Sequence, residues 1–397
     1  MVEPAILLQN DSSTSSSWFW CSTIIIAIVL GVCLLPLLFK SHILWRLLPK
    51  RTKNRLEVMA AGEFRVGDIF GFSLLLIFIS ANRTMRWLFE KDEPAALCKP
   101  IFFCGVPRSG TTMMHRRILH ATGDDRSRPG SAVSLKTIDL LLPSRILRLL
   151  WMPAATLFAA LINTPNHVVH PFKPEEDCLS LLHHQTNLLS LLFFSKKMNG
   201  AYARTISHEE RWTWSTKEFE WYAQLLQNVA AGGKRFIGKP MCSTPQIFRW
   251  LEKWPDCKLV VSCRHPWPVL RSLNGLFGSL DFYSPADLEW DCLSTQLLRH
   301  YRTVVHFVQH PHPRVRVVRF SELMADPDKV ICSLIDWCEL AQLNEGDVSS
   351  REETHKHQNV DSEVATKMLR LDAAAWKPLC KALGYDIEEF CRVASEQ

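Results

Sequence analysis

A short apolar run, Ile101–Cys104, leads directly into a turn bounded by Gly105 and Gly110, and a helical pattern follows from Thr111 to Leu119. No other stretch restricts the fold of this chain as strongly. Glycines let the backbone curl until its N–H groups point at one spot. The positive end of a helix then faces the same spot, so the unit is suited to an anion. The kind of anion can be narrowed. A nucleoside-triphosphate loop places a lysine after its second glycine and a Ser or Thr after that. Here Thr111 and Thr112 stand in those places, and the basic residue, Arg108, precedes Gly110. This disfavours triphosphate–magnesium chemistry and suits a single 5′-phosphate bearing some other group. The alternative is a tight strand–turn–helix with no ligand.

A second unit has the same grammar. In "LVVSCRHPWPVLRSLNGLF" a strand (Leu259–Cys263) meets a turn (Arg264–Pro268), and a helix runs from Val269 onward. Pro266 and Pro268 suit a helix start. Arg264 closes the strand and Ser272 falls on the first turns of the helix. Two basic-plus-hydroxyl sites on adjacent strand ends can hold two separated phosphates of one nucleotide. Further strands are expected at Arg235–Gly238, with Lys239 at its end, and at Val315–Val318. Helical patterns cover 217–231 and 286–309. Strands alternating with helices predict an α/β fold, a P-loop-like parallel sheet flanked by helices, with ligands at the carboxyl ends of the strands. The aromatic stretch "RWTWSTKEFEWY" (Arg211–Tyr222) reads either as a helix packed on the core or as acceptor-site lining.

Composition sets outer bounds. The chain has 397 residues, of which 47% are hydrophobic, enough for one large domain with appendages. A net charge of +6 suits an anionic ligand or a membrane surface, but no concentrated basic stripe marks a nucleic-acid binder. The 13 cysteines are scattered without CxxC pairs or zinc-like spacing. Cys104, Cys257 and Cys263 lie in or near apolar runs and read as small buried hydrophobes. No metal centre is expected.

The amino-terminal part reads differently. After a short tail (1–17), residues 18–39 are uncharged and apolar over a length that crosses a bilayer, so a retained transmembrane helix is expected. A basic juxtamembrane region (40–98) comes next, containing a second, shorter apolar segment at 69–81. The polar stretch 90–99 reads as a linker. The basic flank favours a cytosolic side for the chain after the first span. If 69–81 also crosses, the remainder is lumenal. The triplets at Asn10 and Asn82 are compatible with glycosylation there, so single- and double-pass topologies both stay open.

With both loops in view, residues 99–387 resemble the sulfotransferases that use 3′-phosphoadenylyl sulfate. The likeness rests on "GVPRSGTT" (Gly105–Thr112) as the 5′-phosphosulfate loop and on Arg264 with Ser272 as the 3′-phosphate site. It is extended by "KPEEDCLSLL" (Lys173–Leu182), "RFSELMADP" (Arg319–Pro327) and "WKPLCKALGYD" (Trp376–Asp386). The resemblance implies a sulfotransferase domain over about 99–390 and transfer of a sulfuryl group to a hydroxyl or amine, without a metal. It also implies that Arg108 binds the 5′-phosphate and steadies the sulfuryl group. Ser109, Gly110, Thr111 and Thr112 would cradle the phosphate, and Lys239 would lie near the leaving oxygen. Many relatives read K-S-P-x-H at that place, whereas Lys239 is followed by Pro240 with no histidine nearby. Candidates for the catalytic base are Glu175, Glu176 and His170; the two glutamates have helix capping as their alternative role. His115 is expected to pack against the sheet. The implied acceptor is a glycan, lipid or protein, with no nucleic-acid partner, at the Golgi or another endomembrane. Two rivals stand beside this reading: a phosphoryl-transfer enzyme with a modified loop, and an inactive membrane scaffold retaining the fold.

Overall fold

The computed structural model describes residues 82, 84–85, 97–106, 108–123, 132–141, 144, 148, 172–173, 216–230, 234–240, 244–270, 272, 290–341 and 373–385. The apolar segments 18–39 and 69–81 lie outside these, as do Asn10, His170, Glu175 and Glu176. Among the described residues no helix is long and apolar enough to cross a membrane.

Among the described residues, five parallel strands form one sheet in the order β2-β3-β1-β4-β5. They are β1 (Ile101–Cys104), β2 (Ala132–Val133), β3 (Arg235–Gly238), β4 (Lys258–Cys263) and β5 (Val315–Arg319). The connections are helical: α1 (Thr111–Thr122), α2 (Thr137–Leu141), α3 (Thr216–Val229), α4 (Thr244–Lys253) and α5 (Trp290–Gln309). After β5 come α6 (Phe320–Ala325), α7 (Pro327–Cys338) and α8 (Ala373–Leu383). Four strands fall where the apolar runs place them. The two-residue β2 is too short to show in the sequence pattern.

Strand periodicity explains the two layers. Ile101 and Phe103 point to one face, with Val260 and Val318, and pack against Met114 and Ile118 of α1 and Leu334 of α7. Phe102 and Cys104 point to the other face, with Leu259 and Val261, against α3, α4, α5 and α8. There Phe102 sits 5.0 Å from the Trp250 ring and 5.1 Å from Trp254. The aromatic stretch joins this layer through its described part, since Phe219 and Tyr222 are buried core residues. The central strand, covered on both faces, is accordingly a continuous apolar run.

The order of the strands locates a crevice. The chain leaves β1 toward β2 at one edge, and leaves β4 toward β5 at the other. Where such connections diverge, the carboxyl ends of the two strands are left open.

One expectation is corrected. The stretch 90–99 does not remain a linker to its end. Leu97 is buried in the core, the Lys99 N–H donates to Asp256 Oδ2 at 2.8 Å, and Lys99 Nζ pairs with Glu339 at 2.7 Å. Of the triplet at Asn82, Asn82 itself is buried and Thr84 is exposed.

The motif "RFSELMADP" has a structural role of its own. Asp326 caps α7, its Oδ1 accepting from the Lys329 N–H at 3.0 Å, and Pro327 supplies the first helical position. Asp326→Ala is expected to lower the unfolding free energy by about 1 kcal/mol, read as a shifted urea midpoint with an unchanged slope.

Candidate active site

In sheet order, the carboxyl ends present Ser134 after β2, Lys239 after β3, the Gly105–Gly110 turn after β1, Arg264 after β4 and Phe320 after β5. Every predicted cationic residue is in this row.

The turn is built by contact with β4. A Cβ on Gly105 would lie 2.0 Å from Ser262 Oγ, so only glycine fits. Ser109 is buried, and its hydroxyl donates to the Val106 carbonyl at 2.6 Å and lies 2.5 Å from Ser262 Oγ. Its N–H also turns to Val106, at 3.3 Å. Ser109 therefore locks the turn, where the resemblance implied a phosphate contact. Arg108 and Gly110 both adopt left-handed backbone, with φ 69° and φ 91°. That conformation is rare for a side chain bearing a Cβ and marks a backbone held by its surroundings. Gly110 begins α1 with no side-chain cap, so the first N–H groups of the helix face the turn.

The two loops meet. Arg108 Nε donates to Ser272 Oγ at 2.7 Å, and Arg264 Nη1 donates to the Arg108 carbonyl at 2.7 Å. From the other side, Lys239, almost fully buried, donates from Nζ to Thr112 Oγ1 at 2.9 Å. That bond occupies a Thr112 lone pair and leaves its O–H to donate elsewhere. Thr111 is buried beside the turn. The predicted residues Arg108, Thr111, Thr112, Lys239, Arg264 and Ser272 thus belong to one constellation spanning β3, β1 and β4.

Its electrostatics favour an anion. Burial, and then the neighbouring Arg108 charge, lower the pKa of Arg264. Two guanidinium groups side by side in a partly desolvated site hold positive charge where an anion can neutralise it. His115 is not part of this chemistry. It is buried, with Nε2 3.2 Å from the Ile237 carbonyl and 3.1 Å from Ser134 Oγ, packed on the sheet as expected. Lys173, ahead of the acidic segment, accepts at its carbonyl from the Thr137 N–H at 3.2 Å, next to the start of α2.

Sequence reasoning missed three residues that shape the site: Ser262, Tyr301 and Phe320. Ser262 was visible as a lone hydroxyl inside the β4 apolar run. Tyr301 donates its hydroxyl to the Arg264 carbonyl from within α5, and its charged sequence neighbours give no hint of this. Phe320 carries the Arg264 guanidinium over its ring, 4.2 Å from the centroid. Beside Tyr301 on α5, buried His300 holds the Ser262 carbonyl through Nε2 at 3.3 Å.

A family model described as "Sulfotransferase family" matches residues 100–345. Among solved structures, a sulfotransferase from Mycobacterium tuberculosis superposes with a TM-score of 0.55 at 17% identity, covering 76% of this chain and 84% of its own. One from Mycobacterium avium gives 0.52 at 17% identity, covering 83% and 82%. At that identity the structural likeness speaks for the fold. No curated protein matches the sequence.

Burial holds the His300 pKa at about 4, against 6.5 for an exposed histidine. Between these values the unfolded chain binds the extra proton, so stability is full above pH 6.5 and falls as pH drops toward 4. The loss from this one group is on the order of 3 kcal/mol. Urea unfolding in pH steps is expected to show that decline, and His300→Gln, which keeps a donor for Ser262, is expected to flatten it by about one proton.

Proposed function

Since the chain belongs to the sulfotransferase family, we propose that it transfers a sulfuryl group from 3′-phosphoadenylyl sulfate to a hydroxyl or amine. The observation that carries this reading is the joining of the two loops. Arg108 of the first reaches Ser272 of the second, and Arg264 of the second reaches the backbone of the first. A nucleotide with phosphates at both 5′ and 3′ positions is the ligand for which two such adjoining sites make sense.

The chemistry is set by where charge develops. The acceptor oxygen or nitrogen attacks sulfur, and the bond from sulfur to the 5′-phosphate oxygen breaks. The electron pair stays on that oxygen. Arg108 within the turn and Lys239 beside it stabilise the growing negative charge, and fixed cations in a partly dry site do this strongly. Thr112, with its hydroxyl proton free of Lys239, donates to the phosphate, together with the first N–H groups of α1. The proton lost by the acceptor goes to a base. Glu176, Glu175 and His170 remain the candidates.

The acceptor class is a further part of the proposal. The apolar segment 18–39 is suited to anchoring the domain at an endomembrane such as the Golgi, which favours glycans, lipids or proteins as acceptors.

Calorimetry on the whole protein in detergent tests the donor. Adenosine 3′,5′-bisphosphate is expected to bind at least tenfold more tightly than AMP; equal binding, or a preference for ATP, would favour the phosphoryl-transfer alternative. Arg108→Ala is expected to abolish sulfate transfer, whereas an inactive scaffold would lose nothing by it. Lys239→Ala is expected to lower kcat by about 10²–10³-fold, with nucleotide affinity little changed.

A further inference from the structure

One aromatic ring touches both phosphate loops. Phe320 is the first residue of α6, directly after β5, and is partly buried against the α1 side of the sheet. On one side it packs on the first loop so closely that a Cβ at Gly110 would come within 2.8 Å of its Cδ2. On the other side it carries the Arg264 guanidinium of the second loop, 4.2 Å from the ring centroid.

We infer that Phe320 is a positioning residue that sets nucleotide selectivity, holding Arg264 at a fixed distance from the Gly105–Gly110 turn. The inference rests on the proposed nucleotide binding and assigns a new residue to it. The physical basis is a restriction on Arg264. Its Nη1 is committed to the Arg108 carbonyl, and its own carbonyl is held by Tyr301. A guanidinium is planar, so a ring face against it fixes the remaining orientation and keeps its other N–H groups in one plane. A leucine of similar volume would fill the space beside Gly110 but would supply no charged face. The guanidinium would then rotate about its one remaining hydrogen bond, and the gap between the two anion subsites would cease to be defined. Selectivity for a nucleotide carrying both phosphates should suffer more than the affinity for a single 5′-phosphate.

The test is calorimetric titration of the full chain with adenosine 3′,5′-bisphosphate and with AMP. Phe320→Leu is expected to weaken bisphosphate binding about tenfold, the scale of a desolvated cation–π contact, and to leave AMP within twofold. Phe320→Tyr, which keeps the ring, is expected to restore the preference. In an Arg264→Ala background, Phe320→Leu should change nothing further. If Phe320→Leu fails to fold, Phe320→Met takes its place with the same expectation. A folded variant that keeps the full preference, or one that loses both ligands equally, overturns the inference. If the wild-type protein itself does not prefer the bisphosphate, the nucleotide reading fails first and this inference falls with it.

Discussion

The turn after β1 can lie against β4 only because position 105 has no side chain. The nearest atoms to a Cβ there would be Ser262 Oγ at 2.0 Å, Ser109 Oγ at 2.8 Å and Thr111 Cγ2 at 2.9 Å. All three belong to groups packed in the interior, so the clash has little room to relax, and overpacking of this kind costs about 1–3 kcal/mol. The close approach matters for the bonds it permits. With the turn seated on Ser262, the Arg108 carbonyl comes within 2.7 Å of a guanidinium from the end of β4, and the Arg108 side chain returns to Ser272. A larger residue at 105 would push the two strand ends apart and break both bonds.

Holding two arginines together has an electrostatic consequence. Each carries a full charge, and the site is partly desolvated, so they repel. Neutral groups help to orient them: a hydroxyl for Arg108, a carbonyl and an aromatic face for Arg264. These groups orient the cations without cancelling their charge. Cations fixed in this way are suited to an anion and to charge that develops during a reaction, which they stabilise without reorganisation.

The parts of this arrangement differ in how plainly the sequence announces them. β1, β3, β4 and β5 are short apolar runs with polar boundaries, and their positions follow from pattern alone. The cations at their ends are equally legible, because a charged residue directly after a buried strand has one place to go. The contacts among them are not. Ser109 reads as a loop hydroxyl, yet its bonds to Val106 and Ser262 depend on β4 arriving beside it from 153 residues away. Tyr301 and Phe320 look like ordinary core aromatics, and their importance comes from sitting on Arg264. Leu97 departs from expectation for a related reason: local polarity suggests exposure, but tertiary packing buries it. Local pattern reports on elements, whereas burial and pairing are decided by chain distant in sequence.

That separation along the chain bears on biosynthesis. Arg108 and Ser272 are 164 residues apart, and Lys239 and Thr112 are 127 apart. The Gly105 turn leaves the ribosome long before β4, and Phe320 and the Arg319 contact to Leu383 of α8 come later still. A nascent chain that ends before β4 carries the Gly105–Gly110 turn without Ser262, Arg264 and Ser272, which hold it. Contacts of this range form late, since long loops must close before they contribute. The site is therefore incomplete on a half-made chain, and a ligand that needs both loops can stabilise only the finished one.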